Sequence, residues 1–251
     1  MKVFVINLKE SEERRSFMAK QLNTHGIAFE FFAAIDGRKL SQKDKACVCD
    51  QKWARRHIGR DLMSEEIGCA LSHLGVYRKI VEEKLPCALV LEDDAHLSSC
   101  VKPVLEAVEK KLDPAVGQIC LFSECIKLSK DAIPLTREAV MSRVMAAIYL
   151  AHAYVVTLEG AKKLLSSLYP VVQVADDWAW ISYHTGIELY ACSSILAKQG
   201  GEWASTISNH GRGEDLKNRW KSRIWWKNKL YRKWWWALDR MGLGYYFWKK
   251  G

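Results

Sequence analysis

Two periods alternate along this chain. Short apolar runs bounded by charge or turn residues read as strands, and between them apolar residues recur every three or four positions, as on one face of a helix. The strand-like runs are Lys2 to Leu8, Phe29 to Ile35 (ended by Asp36-Gly37), Cys87 to Glu92, Gln118 to Phe122, a β-rich stretch from Val144 to Val156, and Ile187 to Leu196. The first predicted helix has Ser11 in the N-cap position and Glu12 and Glu13 in its first turn, where the helix dipole favours acids. It continues through Phe17, Met18 and Leu22 to a stop at Gly26. Ile67, Leu71, Leu74 and Val81 predict a long helix over Glu65 to Lys84. Further helices are expected over Val101 to Leu112, Glu159 to Leu168 and around Asp177 to His184, whereas Cys47 to Arg60 lacks a clear period and reads as a loop or an irregular helical insertion. This alternation predicts an α/β fold with a mostly parallel sheet covered by helices on both faces.

The run Cys87-Ala88-Leu89-Val90-Leu91 is buried-strand material, and it ends in three adjacent acids, Glu92, Asp93 and Asp94. Three carboxylates at a strand tip repel one another unless a cation neutralises them, and Mg²⁺ and Mn²⁺ favour oxygen ligands. Because alternate strand residues face opposite ways, Glu92 and Asp94 can share a face as metal ligands while Asp93 points away; Asp93 joins them if the strand has already bent. The other reading of the motif is a solvated acidic loop.

Charge changes the picture at one end. The 251 residues carry 38 Lys and Arg against 29 Asp and Glu, a formal net charge of +9. Eleven of the basic residues and one acid lie between Lys217 and Gly251, so the rest holds 27 basic and 28 acidic residues and is nearly neutral. The same tail holds seven of the eleven tryptophans, which suits an anionic membrane surface. Interleaved Trp, Lys and Arg also suit single-stranded nucleic acid, but so dense a set of tryptophans fits an interface better than a groove, and no nucleic-acid partner is expected. No run reaches the length needed to span a bilayer or to act as a secretory signal, so the protein is expected in the cytoplasm, with the tail associating peripherally with a membrane. The eight cysteines form no C-x-x-C pair and read as free thiols.

Three segments in order, Val5-Ile6-Asn7-Leu8 followed by Glu12-Glu13-Arg14-Arg15, then Gly68-Cys69-Ala70-Leu71-Ser72-His73, then Leu89-Val90-Leu91-Glu92-Asp93-Asp94, resemble glycosyltransferase family 25, which includes bacterial lipooligosaccharide galactosyltransferases and collagen galactosyltransferases. The resemblance implies a GT-A like catalytic domain over residues 1–216 and leaves 217–251 as a basic aromatic tail. It also implies a UDP-sugar donor, a lipooligosaccharide or other glycan acceptor, Mn²⁺ or Mg²⁺ as cofactor, and inversion at the anomeric carbon, with galactose the expected hexose. A glycoside hydrolase is the rival enzyme; it would need a protonated acid and no metal.

By the same resemblance, Asn7, Leu8 and Arg14 hold the nucleotide, Ser72 and His73 line the donor pocket with His73 donating to the diphosphate or sugar, and His210 joins Asp94 and Glu92 as a metal ligand. Asp36 and Gly37 sit where uridine or ribose would bind if the second strand ends beside the first. Inversion needs one carboxylate as general base. Asp177 aligns best with the family's acid; Asp176 either caps the following helix or shares that role. Trp178, Trp180 and Tyr183 offer a stacking surface for sugar rings, with at least one of them packed in the core. The chain departs from the family at Ala151-His152-Ala153-Tyr154, where glycines are expected.

Overall fold

The computed structural model describes residues 1–123, 127–145 and 150–200. His210 and the basic tail lie outside the described residues. Three strands meet first: β1 (Lys2–Asn7), β2 (Glu30–Ala33) and β3 (Cys87–Glu92), with β1 pairing in parallel with both others. They belong to an eight-stranded sheet ordered β2-β1-β3-β8-β5-β9-β7-β6, completed by β5 (Gln118–Leu121), β6 (Leu128–Pro134), β7 (Val140–Val144), β8 (Ala153–Thr157) and β9 (Glu188–Cys192). Six of the eight point the same way, as the alternation of elements predicted. The exceptions are β8, antiparallel to both β3 and β5, and β7, antiparallel to both β9 and β6. A two-stranded sheet pairs β4 (Ala95–Leu97) with β10 (Ala197–Gln199).

Strand residues alternate between two cores, which is why the strands read as continuous apolar runs. Phe4 and Ile6 of β1, Ala88 and Val90 of β3 and Tyr154 and Val156 of β8 pack on one face. There they meet α3 (Gln51–His57), α4 (Ser64–Glu82), α6 (Leu158–Leu168) and α7 (Trp178–Thr185). Val3, Val5, Leu89, Leu91, Ala153 and Val155 point the other way, toward α1 (Glu12–Thr24) and α5 (Val101–Lys111). Each fully buried Val or Leu contributes roughly 1.5–3 kcal/mol, so β3, whose residues Ala88 to Leu91 are fully buried, anchors both layers.

The aperiodic segment is two short helices, α2 (Gln42–Val48) and α3, capped by Ser41 and Asp50. Helix α4 starts one residue earlier than predicted. Glu66 accepts from the Met63 amide at 2.9 Å and takes Arg60 on both oxygens at 2.6 and 2.7 Å, fixing the first turn. Helix α1 follows Ser11 as predicted, although the Ser11 side chain makes no cap bond, and it buries only Met18 and Leu22. Polar contacts compensate. Gln21 completes the edge of β4, donating to the Ala95 carbonyl at 2.9 Å and accepting from the Leu97 amide at 2.7 Å. Gln21→Ala is expected to cost about 1–3 kcal/mol in chemical denaturation, because it strands a backbone donor and acceptor; a smaller loss would mean that water replaces both bonds.

Candidate functional site

The chain leaves β1 through α1 on one face to reach β2, and returns through α4 on the other face to reach β3. The carboxyl ends of β1 and β3 therefore flank a topological switch point, where open α/β sheets bind ligands. A cleft lies there, lined by Leu8, Arg14, Ile35 to Arg38, Glu65, Cys69, Ser72, His73, Glu92 to Asp94, and Gln199.

The three acids have three different fates. Strand β3 ends at Glu92 and the chain turns, so alternation no longer sends Asp93 away from the cleft. Asp93 is held instead: Asn7 Nδ2 donates to its Oδ2 at 2.8 Å, and Arg14 Nη1 pairs with its Oδ1 at 3.0 Å. Asn7 Nδ2 also donates to the Ser11 carbonyl at 3.2 Å, which ties α1 to the tip of β3. Asn7 and Arg14 thus hold a carboxylate, and of the two Arg14 also lines the cleft.

Glu92 lies beside His73, whose Nε2 is 3.2 Å from Oε1. Burial would raise the Glu92 pKa, but the hydrogen bond from His73, helped by the positive charge of Arg14, outweighs it and holds the carboxyl below its ordinary value. Its Oε2 has no protein partner among the described residues.

Asp94 is pushed the other way, chiefly by burial and then by the charge of Glu92. Gln199 Nε2 donates to its Oδ2 at 3.0 Å, whereas Oδ1 is buried with no partner among the described residues. An orphaned carboxylate oxygen next to a second, ionised carboxylate fits a divalent cation that prefers oxygen, so Asp94 and Glu92 suit Mg²⁺ or Mn²⁺. Cys69 Sγ, His73 and Glu92 also bring ligand atoms within 4.8 Å of one another, a softer set than those ions favour.

Several sequence expectations are revised. Both His73 nitrogens have protein partners, Nε2 at Glu92 and Nδ1 at Tyr154 Oη 2.7 Å away, so in this arrangement the ring does not donate to a diphosphate or sugar. Ser72 borders the cleft with its hydroxyl already used, donating to the Gly68 carbonyl at 2.7 Å and accepting from the Ile35 amide at 2.8 Å. Asp36 does end up beside β1, but its carboxylate caps a short 3₁₀ turn and takes Arg38 at 2.8 Å on each oxygen; the Arg38 bond holds its pKa below the ordinary range. Gly37 lines the cleft and is closely packed as well: a Cβ there would lie 1.8 Å from the Ser64 carbonyl oxygen. Asp177, not Asp176, caps α7, accepting from the Trp180 amide at 3.2 Å. Neither acid lines the cleft directly, although the charge of Asp176 reaches the Cys69 thiol, whose pKa burial drives well up. Trp178 is fully buried with Nε1 on the Leu150 carbonyl, Trp180 stacks on His184, and Tyr183 is exposed. Cys120 and Cys192 lie 3.8 Å apart as free thiols, and the other described cysteines are free as well.

Sequence reasoning missed Gln199, Tyr154 and His152. No pattern marks Gln199; the pairing of β10 with β4 delivers it to Asp94. His152 stands where the family's glycines were expected, and it accepts the Glu92 amide through its carbonyl at 2.9 Å.

The chain is 30% identical over 176 residues to procollagen galactosyltransferase 2 of Homo sapiens, covering 66% of this chain and 27% of that protein. It is 30% identical over 166 residues to a glycosyltransferase 25 family member of Aedes aegypti, covering 65% of this chain and 27% of that protein. The match therefore spans only about a quarter of those relatives' length. Among solved structures, a glycosyltransferase involved in the glycosylation of the major capsid of PBCV-1 is similar with a TM-score of 0.32 and 12% identity, over 66% of this chain and 65% of that one. Residues 1–180 match the family model for glycosyltransferase family 25 (LPS biosynthesis protein), and the chain belongs to that family.

Proposed function

We propose that this chain transfers a hexose, galactose by preference, from a UDP-sugar to a lipooligosaccharide acceptor with inversion at the anomeric carbon. The observation that carries the reading is the buried, unpartnered Asp94 Oδ1 at the strand tip, beside Glu92 and inside a cleft at the switch point. Family membership supports sugar transfer, and the names of the relatives favour galactose over glucose. The family description favours a lipopolysaccharide-type acceptor, and the basic, tryptophan-rich tail suits docking of the enzyme on an anionic inner-membrane surface from the cytoplasmic side.

Asp94 and Glu92 would hold Mn²⁺ or Mg²⁺, which when bound offsets the charge of the departing diphosphate as a Lewis acid. Arg14, clamped by Asp93, keeps a fixed positive charge on the phosphate side of the cleft. Ile35, Asp36 and Arg38 form the wall at the end of β2 that suits the nucleoside. The acceptor hydroxyl must lose its proton on the face away from UDP. Of the pair before α7, Asp176 suits this role better, because Asp177 is committed to the helix cap and the charge of Asp176 already reaches a cleft residue.

Calorimetric titration of UDP, UDP-galactose and UDP-glucose with and without Mn²⁺ tests the reading. Metal-dependent binding with UDP-galactose tightest is expected. Absence of nucleotide binding by the folded protein under both conditions would overturn it.

A further inference from the structure

Buried hydroxyls need somewhere to send their protons. Behind Glu92, two tyrosines and a histidine form a line: Tyr77 Oη lies 2.6 Å from Tyr154 Oη, Tyr154 Oη 2.7 Å from His73 Nδ1, and His73 Nε2 3.2 Å from Glu92 Oε1. All three rings are at most 2% exposed. They come from two elements: α4 carries His73 and Tyr77 one turn apart, and the reversed strand β8 places Tyr154 opposite Val90 of β3. Tyr154 is pinned from behind by the edge of Trp178, with ring centroids 4.9 Å apart, and its ring stacks on His73 at 25°.

Counting donors and acceptors selects one protonation pattern. If Nε2 carries the proton, it donates to Glu92, Tyr154 donates to Nδ1 and Tyr77 donates to Tyr154, so every proton meets an acceptor. If Nδ1 carries it, the Nε2 lone pair faces the Glu92 carboxylate and one hydroxyl proton has no acceptor. If both nitrogens carry protons, one hydroxyl proton is again stranded, at about 1–3 kcal/mol for a buried donor.

We infer that Tyr154 and Tyr77 are positioning residues, which fix His73 as the Nε2–H form so that it clamps Glu92 Oε1 and leaves Oε2 for the cation in the cleft. This rests on the donor-site reading of Glu92. Outer partners of this kind hold a ligand in place, and losing one typically weakens metal binding about 10–100-fold. Tyr154 has the stronger influence because it touches the imidazole directly.

The test combines ¹⁵N spectroscopy of the histidine rings in the metal-free protein at alkaline pH with Mn²⁺-dependent UDP titration, on the wild type, Tyr154→Phe and Tyr77→Phe. His73→Gln assigns the His73 signal. The wild type is expected to show the Nε2–H form. Tyr154→Phe is expected to lose that single form and to weaken Mn²⁺-dependent UDP binding about tenfold, with a smaller loss in Tyr77→Phe. A wild-type His73 protonated at Nδ1, or unchanged affinity in Tyr154→Phe, would overturn the inference. If Tyr154→Phe does not fold, the wild-type spectrum and Tyr77→Phe decide it. A wild type that binds no UDP would overturn the donor-site reading instead, while the ring spectrum still decides the tautomer.

Discussion

Asp94→Asn is expected to remove Mn²⁺-dependent UDP binding and lower turnover about 10²–10³-fold, the scale seen when one group opposing transition-state charge is removed, while making the metal-free protein more stable. The two effects have one cause. Asp94 is buried with one oxygen unpartnered and faces the charge of Glu92, so its carboxyl holds a proton more tightly in the folded protein than in the unfolded chain. For an acid whose folded pKa is raised, the stabilising contribution is complete below the unfolded value, near pH 4, and is lost as pH rises through the folded value. At neutral pH the ionised Asp94 therefore opposes folding. Asparagine removes that charge and can still accept from Gln199 through its carbonyl oxygen. Thermal melts across pH, with and without Mn²⁺, check this. Relative to Asp94→Asn, the wild type should lose metal-free stability on going from pH 4 toward neutrality, since the other carboxyls are common to both proteins, and Mn²⁺ should close that gap by stabilising the wild type alone. A variant less stable than wild type at neutral pH, or one that keeps metal-dependent UDP binding, would contradict the assignment.

The site could be foreseen only as far as local pattern reaches. Strands β1 and β3 and helix α4 are readable because each is a long signal: two apolar runs closed by charge, and one period held over five turns. That was enough to bring Asn7 and the three acids to neighbouring strand tips. It was not enough to assign the acids, because alternation ends where the strand turns, and what separates Asp93 from Asp94 is a partner 86 residues away in sequence, Asn7, and another 105 residues away, Gln199. The reversal of β8 was equally hidden, since an apolar run carries no direction. Strand β6 was missed for a different reason: it lies at the sheet edge, is mostly exposed, and ends in Pro134, so neither alternation nor an apolar run marks it. Helices α2 and α3, seven residues each, are too short for a period to show.

Gly37 lines the cleft and is also packed against the start of α4, and Gly37→Ala carries the largest expected effect on stability. A methyl group at this position would sit 1.8 Å from the Ser64 carbonyl oxygen and 2.8 Å from the Gly68 amide nitrogen; a methyl at Gly68 would in turn lie 2.5 Å from the Gly37 nitrogen and the Ile35 carbonyl oxygen. Both obstacles are backbone, so no rotamer change relieves them. The loop after β2 and the first turn of α4 would have to separate, and with them the Ser72 to Ile35 bond and the wall formed by Ile35, Asp36 and Arg38. Overpacking typically costs 1–3 kcal/mol, occasionally more. Gly37→Ala should lie at the upper end, about 3 kcal/mol by denaturant midpoint, with UDP binding weakened in parallel. Gly75→Ala is the comparison. Its methyl would meet the far end of the Phe32 ring at 2.5 Å, a partly buried side chain that can swing aside, so a loss of about 1 kcal/mol is expected. Equal losses in the two variants, or a Gly37→Ala protein with wild-type stability, would mean that the loop and α4 are not packed backbone to backbone, and the cleft wall would then need another support.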